Sequence, residues 1–106
     1  MKTARVEQGD NYYFVSIMYW KVCRTIDCYF PTDNKKYKEG NYFLSPRAAH
    51  QCMEGINELY GPSYFGIKDA LGQDGLREGR RKELRADLAE ITGKINTYIK
   101  ESNKTL

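Results

Sequence analysis

The chain has 106 residues, a formal net charge of +3 and 13% aromatic residues, enough for one domain with a modest core and too little for two. No apolar run approaches the roughly 20 residues of a membrane-spanning helix, and Arg5, Glu7 and Asp10 stand where a leader would be apolar, so a soluble protein with no membrane partner is expected. A charge this mild neither demands nor excludes nucleic acid, and three cysteines at irregular spacing point to reduced thiols in a cytosol rather than a disulfide framework.

Every ring except Tyr98 lies in the first 65 residues. That half should pack by aromatics and the remainder by aliphatic side chains. After a polar start ending at the turn signal Gly9-Asp10-Asn11, the segments Tyr12 to Met18 and Lys21 to Tyr29 are rich in aromatic and β-branched residues, which predicts an antiparallel hairpin turning near Met18 to Lys21. In the second segment Val22 and Ile26 mark the drier face, and Arg24 breaks the pattern, either as an exposed edge residue or as a ligand-facing one.

In the stretch Asp33 to Pro46, Asp33-Asn34 favours an Asx-type turn and Gly40-Asn41 favours positive φ, which predicts two chain reversals within ten residues. Tyr42, Phe43 and Leu44 then return to the core. Ser45-Pro46 is an N-cap with proline at the first helical position. The helix it opens has Ala49, Cys52, Met53, Ile56, Leu59 and Tyr60 on one stripe, and Gly61-Pro62 should end it. Residues 61 to 76 read as a Gly-rich connector with one helical turn around Ile67 to Leu71.

From 77 to 102 the pattern predicts a long helix whose Leu84, Leu88, Ile91, Ile95 and Tyr98 form an a/d seam with Ile99 beside it. Such a helix exceeds what a domain of this size needs. A homodimer burying the seam, with close approach at Gly93, is one expectation, and the seam folding back on the chain's own sheet is the other. The fold class is therefore α+β: an aromatic hairpin or three-stranded sheet packed by one helix and followed by a long C-terminal helix, with residues 11 to 60 forming the hairpin-plus-helix module of a single domain.

Asp33-Asn34, Tyr37, Gly40-Asn41-Tyr42-Phe43, Ser45 and the alanines at 48 and 49 resemble a pattern in short phage and prophage proteins of unassigned function, D-N-x-x-(R/Y)-x-x-G-N-x-F-x-(S/T) before an alanine-containing helix. The resemblance covers residues 11 to 60 and departs at Arg47, where those proteins carry acidic residues. It implies a mobile-element origin, hence the cytoplasm of a bacterial host, and a hairpin-then-helix module. It implies no activity.

Chemistry-bearing constellations are sparse. Cys23, Cys28, His50 and Cys52 lack zinc spacing, since His50 and Cys52 two apart on a helix point to different faces. His50 is the sole histidine, with no nucleophile elbow or phosphate loop near it. The expectation is a non-enzyme without metal or cofactor. Two features suggest binding instead. Arg77, Arg80, Arg81, Lys82 and Arg85 crowd the start of the last helix, where its dipole disfavours cations, and Arg77, Arg81 and Arg85 form one stripe. Tyr19 and Trp20 beside Lys21 and Arg24 could anchor a protein or stack bases. The expected function is binding of a host protein or ribonucleoprotein, in its most concrete form inhibition of a host defence nuclease in the anti-CRISPR manner. A direct RNA- or DNA-binding module and a structural phage protein are the alternatives.

Overall fold

A computed structural model of the protein describes residues 4–104. Strands β1 (Asn11–Ser16) and β2 (Lys21–Ile26) pair antiparallel from Asn11↔Ile26 to Ser16↔Lys21, and residues 17–20 form the turn. Helices α1 (Pro31–Glu39), α2 (Pro46–Leu71) and α3 (Glu78–Lys104) follow. The architecture is α+β, a hairpin followed by helices that include a long C-terminal one. Among the described residues, no helix is long and apolar enough to cross a membrane.

The sheet has a third, vestigial member. The Tyr13 N–H donates to the Phe43 carbonyl at 2.9 Å and the Phe43 N–H to the Tyr13 carbonyl at 2.7 Å, an isolated bridge on the far side of β1. One position along, the Asn41 amide takes the place of a strand residue, accepting from the Val15 N–H and donating to the Val15 carbonyl at 2.8 Å each. A side chain thus completes the pairing that backbone would otherwise make.

The paired turns expected over 33 to 41 give way to α1. Pro31 presets the first helical φ, and the Asp33 carboxylate accepts from the Phe30 N–H at 3.2 Å, so a residue read as a turn former caps a helix instead. Gly40 does adopt positive φ, 82°, and its N–H closes the helix on the Lys36 and Tyr37 carbonyls. Lys36 Nζ sits 4.5 Å over the Phe14 ring and holds α1 against the sheet.

The Ser45 cap is as expected, with Oγ accepting from the Ala48 N–H at 3.2 Å. Ser45→Ala should lower stability by about 1 kcal/mol. A denaturant midpoint unchanged within error would show that this bond contributes nothing. The stop expected at Gly61-Pro62 is absent: α2 runs through both residues to Leu71, leaving a connector of only residues 72–77. Proline inside a helix costs about 3 kcal/mol. Here it is outweighed because the apolar stripe continues past it, with Tyr64 buried and Ile67 packed against the core.

Helix α3 lies against α2, and Leu84, Ile91, Ile95 and Ile99 are buried there, with Leu88 and Tyr98 half-buried. The buried part of the seam is covered by α2 of the same chain, where a second copy or the chain's own sheet was expected. Close helix approach is at Gly55 rather than Gly93: a Cβ on Gly55 would lie 1.9 Å from the Tyr98 hydroxyl, whereas nothing comes within 4 Å of the same point on Gly93. Val15, Phe43, Ala49, Cys52, Met53 and Ile56 complete the core beneath the sheet. At its last turn, the Asn103 amide donates to the Gly40 carbonyl at 2.7 Å and also to that of Tyr42, fastening α3 to the bridging segment.

Candidate functional site

The hairpin turn is built around Trp20. Its φ of 55° is left-handed, costly for a bulky side chain by about 1–2 kcal/mol, and the ring supplies what holds it there. The indole stacks on Tyr64 with centroids 4.7 Å apart, meets Phe65 edge-on at 4.8 Å, and donates through Nε1 to the Asn57 amide oxygen. Trp20 therefore anchors the turn to α2. Met18 and Tyr19 then project outward, 81% and 70% exposed, with Phe65 also exposed below them. The Tyr19 N–H donates to Ser16 Oγ at 3.2 Å, and Lys21 Nζ lies 5.8 Å from the Tyr19 ring centroid. The result is an apolar tip with one cation beside it on a base that cannot easily shift.

The basic residues occupy the opening of α3. The Arg77 carbonyl accepts from the Arg81 N–H at 2.9 Å, so Arg77 stands in the N-cap position just before α3. Arg80 pairs with Glu83 at 3.1 Å, Arg81 is half-buried, and Lys82 and Arg85 are exposed. The stripe Arg77, Arg81, Arg85 is thus interrupted in its middle, because Arg81 turns toward the side of Leu84 and Leu88. Arg24 is exposed on β2, and Ile26, expected on a dry face, is half exposed.

Sequence reasoning missed the polar hub beside Tyr12, on the face of the sheet opposite the core. Asp27 is fully buried, accepting from Arg5 Nε at 2.8 Å, Arg5 Nη2 at 3.0 Å, the Tyr42 hydroxyl at 2.8 Å and the Tyr29 N–H at 3.0 Å. Next to it the Tyr12 hydroxyl donates to Asp33 at 2.6 Å, and the Tyr12 and Tyr42 rings stack with centroids 4.3 Å apart. The Arg5 guanidinium also lies 4.1 Å from the Tyr29 ring centroid and donates to the Asn34 side chain at 2.7 Å. A sequence signal did exist: Asp27 is the one carboxylate in the stretch from Lys21 to Thr32, and a buried acid there requires a cation from elsewhere.

The electrostatics of the hub are those of mutually paired buried groups. The Arg5 hydrogen bonds hold the Asp27 carboxyl down at about 2 against its burial, helped by Tyr42. Burial pushes the Tyr42 phenol up to about 12, and pushes the Tyr12 phenol up as well, with the Asp33 hydrogen bond adding to it. Burial also raises the Cys52 thiol to about 11, far from a reactive thiolate, while Cys23 and Cys28 are half-buried and free. Every buried side-chain polar atom among the described residues has a partner, and no three of their His, Cys, Asp or Glu side chains are grouped to hold a metal. Set against protein-family models, curated proteins and solved structures, the chain matches none.

Proposed function

We propose that this chain is a binding protein that presents the Met18–Tyr19 tip to a protein or ribonucleoprotein, and that it inhibits a host defence nuclease by occupying its surface, as a small mobile-element factor would. The observation that supports it is the contrast at the turn: two large apolar side chains stand in water next to an indole fixed at left-handed φ. Exposed rings on a rigid base lose little entropy on binding, which is what anchors of interfaces require. The mobile-element origin rests on the phage-like residues between Asp33 and Ala49.

The test is functional. Expressed in bacteria that carry a CRISPR nuclease directed at a phage, the chain should restore plaque formation, and Met18→Ser with Tyr19→Ala should reduce that restoration, with affinity for the nuclease falling about 30-fold. Circular dichroism of the variant should stay normal, because neither side chain is in the core. No restoration by the wild-type chain against a panel of such nucleases would remove the inhibitor reading. The exposed Arg77, Lys82 and Arg85 favour a second reading, direct RNA or DNA binding. Nucleic-acid affinity should then fall steeply with salt and disappear on reversing those three charges, whereas the tip variant should leave it intact.

A further inference from the structure

Among the described residues, the outer edge of β2 is unpaired. Because Tyr13 turns its N–H and carbonyl to Phe43, and Val15 turns its own to Asn41, the alternate residues Tyr12, Phe14 and Ser16 face β2 and bond Thr25, Cys23 and Lys21. By the same alternation, Val22, Arg24 and Ile26 point their N–H and carbonyl groups away from the sheet, where no described residue meets them. An open depression of about 530 Å³ lies at the Ile26 end of this edge and reaches from Arg24, Ile26, Phe30 and Thr32 to Asn11 and to Asp33, whose carboxylate is already bonded to Tyr12. Its apolar side chains are uncovered, with Phe30 64% and Ile26 50% exposed. Arg24 is itself exposed and makes no ion pair among the described residues.

We propose that the β2 edge takes an extended segment of a partner protein as an added strand, with an acidic residue of that segment facing Arg24 and an apolar one resting on Ile26 and Phe30. Backbone pairing supplies the affinity and the two kinds of side chain supply the choice of sequence. Charge decides against a second copy of this chain as the occupant. Edge strands are guarded from self-pairing by cations, and here a two-fold contact centred on Arg24 would set that cation against its own copy. An acidic strand meets the same cation favourably. The edge is distinct from the Met18–Tyr19 tip, so the inference goes beyond the proposed inhibition and stands or falls separately.

Amide exchange of the ¹⁵N-labelled protein tests it, with two synthetic heptapeptides of alternating threonine and valine as probes, one with a central glutamate and one with a central lysine. In the free protein the Val22, Arg24 and Ile26 amides should exchange about tenfold or more faster than those of Cys23 and Thr25. The glutamate peptide should slow those three about tenfold, the lysine peptide far less, and Arg24→Glu should invert the preference. Arg24→Pro removes an N–H that serves none of the described residues, so the variant should fold and lose the peptide. If that variant does not fold, Arg24→Glu carries the control alone. Tyr19→Ala should leave peptide binding unchanged. The proposal is overturned if the three amides are already protected in the free protein, if protection grows with protein concentration alone, as a second copy would produce, or if the glutamate peptide slows none of them.

Discussion

Ile95→Asp should leave the chain unfolded at 25 °C. Ile95 is wholly buried between α2 and α3, at the centre of a core that includes Ile56, Ile91 and Ile99. Removing its side chain beyond Cβ alone costs roughly 2–5 kcal/mol. Adding a carboxylate among these apolar side chains adds several more, against a total stability of about 5–15 kcal/mol for a domain. Leu88→Asp, at a half-buried position, should be far milder. Circular dichroism with urea denaturation separates the outcomes. A folded, monomeric Ile95→Asp protein would place Ile95 outside the core and return the seam to an interface between copies.

The second large loss should come from Asp27→Ala, about 3 kcal/mol, because truncating one partner of a buried ion pair strands the hydrogen-bond donors aimed at it. The Arg5 side chain keeps some contact with water, which places the loss at the low end for such pairs. The same group sets an acid response. Its folded carboxyl is held near 2, below the ordinary 3.8 that it regains on unfolding. Its contribution is therefore complete above about pH 4, where both states are ionised, and is lost as pH falls from about 4 to about 2, where the unfolded chain takes up the proton first. Stability of the wild type should decline across that window, and Asp27→Asn should flatten the decline. An equally steep acid limb in both proteins would show that other carboxylates govern it.

How far the sequence reaches depends on whether a signal is local. The hairpin was legible because β-branched and aromatic residues flank a four-residue turn, and α3 because leucine and isoleucine recur every three or four positions without proline. Ser45-Pro46 marked its helix for the same reason. Helix α1 was not legible: PTDNKKYKE has almost no apolar periodicity, and its support comes from Tyr37 packing edge-on against Tyr42 at 5.1 Å and from Lys36 over Phe14. The passage of α2 through Gly61-Pro62 was hidden likewise, since the contacts that override the proline belong to Trp20 and α3. The Asp27 hub joins Arg5, Tyr42 and Tyr29 from three separate segments. No window of sequence contains it. Of the candidate site, the rings at Tyr19 and Trp20 were visible, but not that one is an anchor and the other is presented to solvent.

Pro62 also divides the molecule mechanically. It offers no N–H to the Glu58 carbonyl, so the ladder of α2 has a missing rung about two-thirds of the way along its length. On the near side, the helix is embedded in the core and Asn103 pins the end of α3. On the far side, the two helices hold one another mainly through Tyr64, Ile67, Leu84 and Leu88, and the 50 Å long axis of the molecule makes that part an arm. Segments with fewer buried neighbours open at lower free energy than the whole. The cations from Arg77 to Arg85 thus ride on the far end, while the Met18–Tyr19 tip straddles the break, because Trp20 bonds Asn57 before Pro62 and stacks on Tyr64 after it. The hairpin turn is thereby a splint laid across the missing rung.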